Sequence, residues 1–118
     1  MKSRLLALTG LAGFLTVALG AFGAHGLEGR LTPEAEGWWE TATLYGLVHV
    51  VSALFLATTP NAPMSAGAAF LAGVLLFSGS LYALALGAPG WIGAVAPLGG
   101  IAFLIGWALI IRCALRRR

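Results

Sequence analysis

The chain has 118 residues, of which 59% are hydrophobic and only 9% are charged, and its formal net charge is +3. Ordinary soluble domains carry about 25% charged residues, and a soluble protein this small could not bury so much apolar surface. The composition therefore excludes a separate soluble domain and predicts a small protein embedded in a lipid bilayer.

The charged residues indicate how the chain crosses the membrane. Six of the seven basic residues lie at the two ends of the chain: Lys2, Arg4, Arg112, Arg116, Arg117 and Arg118. Because basic residues favour the cytoplasmic side, both termini are expected there. The acids cluster in and just after the first loop: Glu28, Glu34, Glu36 and Glu40. Since topology accounts for the basic ends, nucleic acid is not expected as a partner, whereas anionic lipid headgroups are.

Four segments are long and apolar enough to span a bilayer, an even number that agrees with both ends on one side. They are approximately Leu5–Phe22, Trp38–Thr58, Ser65–Leu86 and Gly93–Ile111. The predicted fold class is all-α: residues 1–118 form a single domain, a polytopic bundle of four transmembrane helices. The single cysteine, Cys113, excludes an internal disulfide.

The first predicted helix carries small residues four apart, which let a second backbone approach closely. They are Ala12, Thr16, Gly20 and Ala24. Beyond them His25 is expected near the non-cytoplasmic interface. Its ring is predicted to cap nearby carbonyls or to meet Glu28 or Glu40; a titrating role and metal ligation are the alternatives.

The second predicted helix starts at Thr32, a hydroxyl cap that precedes a proline and an acid. Trp38 and Trp39 are expected at the membrane boundary. Beyond them, four polar side chains lie within an arc of roughly 80° at about 100° per residue. This polar stripe comprises Thr41, Tyr45, His49 and Ser52. It should face protein or trapped water rather than lipid, since unpaired polar groups are costly in hydrocarbon. Glu40 points the other way and is expected to snorkel, or to pair with Arg30 or a headgroup.

His49 is the deepest ionisable group, roughly 16 Å along the helix from Trp38 and hence close to mid-bilayer. One hypothesis is an interhelical hydrogen bond to the third helix, worth about 0.6–2 kcal/mol. The alternative is a station on a proton or ligand path. Ser78 and Tyr82 share one face of the third helix and are the expected partners for Tyr45 and His49, although each could instead bond within its own helix.

The third and fourth helices carry further packing signals. The third has small residues at seven-residue intervals, a seam suited to tight packing. They are Ala66, Gly73, Ser80 and Gly87. In the fourth, the segment Pro97–Gly100 is expected to interrupt the helix in its first turns, either as a packing kink or as the break that marks some transport sites.

Several of these motifs together resemble a family of small four-helix bacterial membrane proteins, that of domain of unknown function 423, which includes the eukaryotic transmembrane protein 256. The motifs are Gly20–Leu27, Thr41-x-x-x-Tyr45-x-x-x-His49, Phe77–Tyr82, Pro97–Gly100 and Gly106-Trp107. The resemblance implies a multi-pass protein of the bacterial cytoplasmic (inner) membrane. It implies no activity.

Three classes of function fit the residues. A structural or accessory membrane component is favoured, because small-residue faces occur on three helices and the polar groups can hold helices together. The alternative is a unit that binds or transports a small solute, a proton or a lipid through the polar stripe and its partners Ser78 and Tyr82. An enzyme is disfavoured, because paired carboxylates at depth and a nucleophile beside a base are absent. No cofactor or metal is expected; the expected partners are the bilayer and a second copy or another membrane protein.

Overall fold

The computed structural model describes residues 2–117, and within them the chain forms four helices long and apolar enough to cross a membrane. Helix α1 spans Lys2–His25 and α2 spans Pro33–Thr58. Helix α3 spans Met64–Ala85 and contains a π-helical segment at Val74–Ser78. Helix α4 spans Ala96–Arg116 and follows a 3-10 turn at Gly90–Ala94. The all-α fold with four helices capable of crossing a membrane is thus confirmed.

Both described ends of the chain lie beside the connection between α2 and α3. The Lys2 ammonium donates a hydrogen bond to the Thr59 carbonyl at 2.6 Å, and the Arg117 guanidinium donates to the Asn61 carbonyl. Cations at the carboxyl end of a helix also complement its dipole, here that of α2. The two ends of the bundle are therefore the basic end, which holds Lys2 and Arg117, and the acidic end, which holds the α1–α2 loop.

The start of α2 agrees with its sequence signal. The Thr32 hydroxyl accepts a hydrogen bond from the Ala35 amide at 3.1 Å, and Pro33 occupies the first turn, where its missing N–H leaves nothing unpaired. The α1–α2 loop turns through Gly29, whose positive φ of 74° suits glycine.

Helix α1 packs on α2 through small residues. Thr16 faces Gly46, and Gly20 faces Thr43, so two positions of the predicted α1 ladder are confirmed as packing positions. Ala24 is exposed, and Gly23 takes its place. The Trp39 indole lies against Gly23, in space that a Cβ atom there would fill. Trp39 is 4% exposed and lies inside the bundle, with Nε1 donating to the Leu19 carbonyl at 2.9 Å.

Helices α3 and α4 each pack a phenylalanine ring against a glycine of the other helix. Phe70 of α3 lies against Gly106 of α4, while Phe103 of α4 lies against Gly73 of α3. Both rings are buried and belong to the same apolar core as Val50 on α2. Each glycine leaves the volume that the opposite ring fills, which brings the two helices close.

Two predictions about these helices need correction. The small-residue seam holds for Ala66, Gly73 and Ser80, which are buried, but Gly87 is exposed in the turn after α3. Pro97 does not interrupt α4, since it lies in the first turn, where proline fits. The irregular segment lies in α3 instead, where Val74–Ser78 is π-helical.

Candidate functional site

His49 is the centre of the buried polar groups. Its side chain is 5% exposed, Nδ1 lies 2.8 Å from the Tyr45 carbonyl, and Nε2 accepts a hydrogen bond from Trp107 Nε1 at 3.1 Å. A carbonyl oxygen can only accept, so Nδ1 carries the proton and Nε2 is the acceptor. This network therefore assigns the neutral imidazole and fixes its tautomer.

Aromatic rings enclose the imidazole. Phe103 stacks on it with ring centroids 3.7 Å apart and an interplanar angle of 11°, and Phe70 meets it edge-on at 5.2 Å. The interhelical partner of His49 thus lies on α4, through Trp107. The hypothesis of a hydrogen bond from His49 to the third helix was wrong. Trp107 could have been considered from the sequence only as an interface anchor, because its spacing says nothing about a partner on α2.

Ser78 links α3 to α2 but bonds to neither Tyr45 nor His49. Its hydroxyl donates to the Ala42 carbonyl at 2.7 Å, and its side chain is 2% exposed. Gly46 lies directly beside it, since a Cβ atom built there would be 3.3 Å from the Ser78 hydroxyl oxygen. Ser78 is the last residue of the π-helical segment, and an extra residue in a helical turn changes which side chains face a neighbour.

Tyr82 bonds to a residue that the sequence reasoning missed. Its hydroxyl lies 2.6 Å from the Thr43 hydroxyl. Thr43 already donates its only hydroxyl proton to the Trp39 carbonyl at 3.1 Å, so Tyr82 is the donor between them. The Tyr82 ring also meets the Trp39 ring edge-on, at 4.5 Å between centroids. The predicted pairing of Tyr82 with Tyr45 or His49 is therefore corrected to Thr43.

The remaining members of the polar stripe do not face a common interior. Tyr45 is 44% exposed and rests its ring on Phe77, with centroids 4.9 Å apart. Ser52 donates to the Val48 carbonyl of its own helix at 2.8 Å, and both Ser52 and Thr41 are half-buried. Of the four residues in the stripe, only His49 is therefore enclosed by protein.

The buried face of α2 follows a heptad spacing that the sequence does contain. Its members alternate in steps of four and three residues, the period of a packed helical seam. They are Ala35, Trp39, Ala42, Gly46, His49, Ala53 and Leu56, all of them buried. Following small and apolar residues along this seam would have placed Thr43 beside the interface and Thr41 off it. The polar residues alone predicted the wrong face of α2 as the buried one.

The two candidate groups at the acidic end, His25 and Glu40, are both exposed. Glu40 lines a cavity of about 460 Å³ between α1 and α2, together with Glu28 and Glu36. His25 is not among the residues that line this cavity, so its capping role stays a prediction. Within residues 2–117 no group of three or more metal-ligating side chains comes together.

Across the described part of the chain, every buried side-chain nitrogen and oxygen has a hydrogen-bond partner. Thr9 and Thr16, both buried, donate to the carbonyls of Leu5 and Ala12 on their own helix, each at 2.7 Å. Together with the pairs made by His49, Ser78 and Tyr82, these bonds leave no unpaired polar atom to bind a ligand inside the bundle. The bonds of Ser78, Tyr82 and Trp107 cross between helices and hold the helices together.

Comparison with known proteins identifies the family. The model of a family described as protein of unknown function (DUF423) matches residues 19–100. The UPF0382 membrane protein of Haemophilus influenzae is 43% identical over 111 residues, covering 91% of this chain and 90% of that protein. The UPF0382 inner membrane protein YgdD of Escherichia coli is 42% identical, covering 98% and 93%. No solved structure matches the chain. The chain therefore belongs to the DUF423 family, and the UPF0382 membrane proteins are its relatives.

Proposed function

We propose that this protein is a structural or accessory component of the bacterial inner membrane, a rigid helix bundle that neither conducts nor transforms a solute. One observation carries the proposal: throughout residues 2–117, the buried polar side chains are fully engaged in hydrogen bonds. A proton or solute path needs polar groups that can exchange partners, or a water-filled space between them.

The contacts around His49 support the same conclusion. A proton relay would pass through the imidazole, yet Phe103 covers one face of the ring and Phe70 meets its edge. Both nitrogens are already bonded, to the Tyr45 carbonyl and to the Trp107 indole. An indole N–H is a donor only and cannot accept a proton in turn, so a relay through Nε2 would end there.

The distribution of charge supports an orientation with both termini in the cytoplasm. The basic end holds Lys2, Arg4 and Arg112, whereas Glu28 and the other acids lie at the opposite end. The positive-inside rule then directs the basic end inward. The related Escherichia coli protein carries the name of an inner membrane protein, which supports the choice of membrane.

Reconstitution into sealed proteoliposomes tests the proposal. With a trapped pH-sensitive dye or a trapped small solute, the proteoliposomes should leak protons or solute no faster than protein-free liposomes do. His49→Phe keeps an aromatic ring in place but removes both nitrogens, and Ser52→Ala is the matched control, since Ser52 bonds only its own helix. Flux that is present in the parent and lost in His49→Phe, but kept in Ser52→Ala, would contradict the proposal.

A second readout addresses the accessory role. After mild extraction from native membranes, blue native electrophoresis should place the protein in a complex well above the mass of its 12.1 kDa chain. Migration as an isolated monomer under several mild detergents would contradict an accessory role.

A further inference from the structure

A lateral groove runs along the lipid-facing side of the bundle between α1 and α3. Its volume is about 570 Å³, and its walls are the faces of these two helices. Helix α2 lies beneath it, since Gly46 touches both Thr16 on one wall and Ser78 on the other. The walls meet near the basic end, where the Leu5 side chain packs against Gly67.

The groove is apolar in its chemistry. Leucine, alanine and valine provide most of its lining, and only three hydroxyl-bearing side chains reach it: Thr16, Ser78 and Tyr82. Each of these hydroxyls is already bonded, to Ala12, Ala42 and Thr43 respectively. Hydrocarbon is therefore the occupant that this surface accepts without leaving a polar group unpaired.

The length of the groove suits the hydrocarbon chain of a lipid. From Leu5 to Leu19, the α1 wall runs about 21 Å at 1.5 Å per residue, somewhat longer than the ~15 Å depth of one hydrocarbon leaflet. The hydrocarbon chain of a lipid that enters one leaflet can lie along this wall.

An exposed cation, Arg4, lies just beyond the groove lining at the basic end of the bundle. Arg4 precedes Leu8, Leu11 and Leu15 by four, seven and eleven residues, so it lies on the α1 face that forms the wall. Its side chain is exposed, whereas the ammonium of Lys2 is held by the Thr59 carbonyl. All four acids lie at the opposite end of the bundle, so nothing acidic competes for this guanidinium there. A phosphate group is the complementary partner, because guanidinium binds it in a bidentate manner.

We propose that the lateral groove is a binding site for one anionic phospholipid, with an acyl chain along α1 and α3 and the phosphate on Arg4. None of the four residues of the polar stripe lines the groove, and the three hydroxyls that reach it keep their hydrogen bonds within the bundle. The proposed site therefore stands whether or not the bundle serves as an accessory component.

Native mass spectrometry of the detergent-solubilised protein tests the site. Phosphatidylglycerol and phosphatidylcholine with identical acyl chains are added in equal amounts, and the bound lipid is counted. The parent should retain one phosphatidylglycerol in preference to phosphatidylcholine. Arg4→Gln should lower that preference about fivefold, the factor equivalent to ~1 kcal/mol per basic residue at an anionic surface. Arg112→Gln, which removes an exposed charge outside the groove, should not lower it.

A second pair of variants tests the groove itself. Ala72 is exposed and lines the groove, so Ala72→Phe should fill it and abolish retention of the lipid. Ala21 is exposed on α1 outside the groove, so Ala21→Phe should retain lipid as the parent does. A melting temperature of Ala72→Phe in detergent within a few degrees of the parent shows that the variant folds. If it melts at a much lower temperature, the lipid preference of Arg4→Gln decides whether the site exists. Equal retention of the two lipids by the parent, equal retention by the two phenylalanine variants, or a dimer that excludes lipid would overturn the proposal.

Discussion

Replacement of His49 provides the sharpest test of how the bundle is held together. His49→Ala removes the ring that stacks on Phe103 at 3.7 Å and meets Phe70 at 5.2 Å, and it leaves the Trp107 N–H without its acceptor. His49→Phe keeps a ring on this site but removes both nitrogens. The two variants therefore separate the aromatic packing from the hydrogen bonds.

The expected magnitudes follow from those contacts. An interhelical hydrogen bond in a membrane contributes about 0.6 kcal/mol on average and ~1.7 kcal/mol at most. Each aromatic pair adds about 0.5–1.5 kcal/mol beyond the area that it buries. We therefore expect His49→Phe to lower the free energy of unfolding by about 0.6–1.7 kcal/mol, and His49→Ala by about 2–4 kcal/mol, because it loses the bond, two ring pairs and packing volume.

The assay is reversible unfolding of the protein in mixed micelles of a mild detergent and sodium dodecyl sulfate, followed by far-ultraviolet circular dichroism. Ser52→Ala on the same helix is the control and should change stability by less than about 0.5 kcal/mol. A double-mutant cycle with Trp107→Phe should give a coupling energy of about 0.6 kcal/mol. An alanine variant as stable as the parent, or additive effects of His49→Phe and Trp107→Phe, would refute the reasoning.

The same unfolding assay checks two further predictions. Gly106→Ala should destabilise the protein by about 1–3 kcal/mol, because the new Cβ would press on the Phe70 ring. Gly100→Ala is the control and should be neutral or stabilising, because the space around Gly100 is open. Equal effects of the two substitutions would show that the α3–α4 contact is looser than described. Tyr82→Phe removes a hydroxyl that bonds to α2 and should lower the free energy of unfolding by about 0.6 kcal/mol. Tyr45→Phe should lower it less, because the Tyr45 side chain is exposed. The opposite order would contradict the hydrogen bond between Tyr82 and Thr43.

Much of the fold could be predicted from the sequence, because the bilayer imposes strong rules on composition. Apolar length alone located the four spans, and the Thr32 cap and Pro33 fixed the start of α2 as the structure has it. Local signals of this kind need no knowledge of neighbouring helices. The assignment of Pro97 to a helix break failed because proline is equally suited to a first turn, and only the 3-10 turn before it decides between the two.

The partners of the polar groups could not be predicted, because they depend on how the helices are rotated and offset. His49 was singled out correctly as a buried polar residue, but its partner Trp107 lies 58 residues away on α4. The π-helical segment at Val74–Ser78 changes which residues of α3 face the neighbouring helices, and no signal in the sequence predicts this segment. The spacing of the polar residues also does not reveal that Tyr45 is exposed and rests its ring on Phe77.

Solid-state nitrogen-15 NMR of His49 in bilayers at neutral pH tests the central claim most directly, namely that hydrogen bonds between helices satisfy the buried polar groups. The structure predicts a neutral imidazole with the proton on Nδ1 and an Nε2 acceptor that is coupled to the Trp107 indole N–H. A proton on Nε2, protons on both nitrogens, or a water molecule in place of the indole would contradict it.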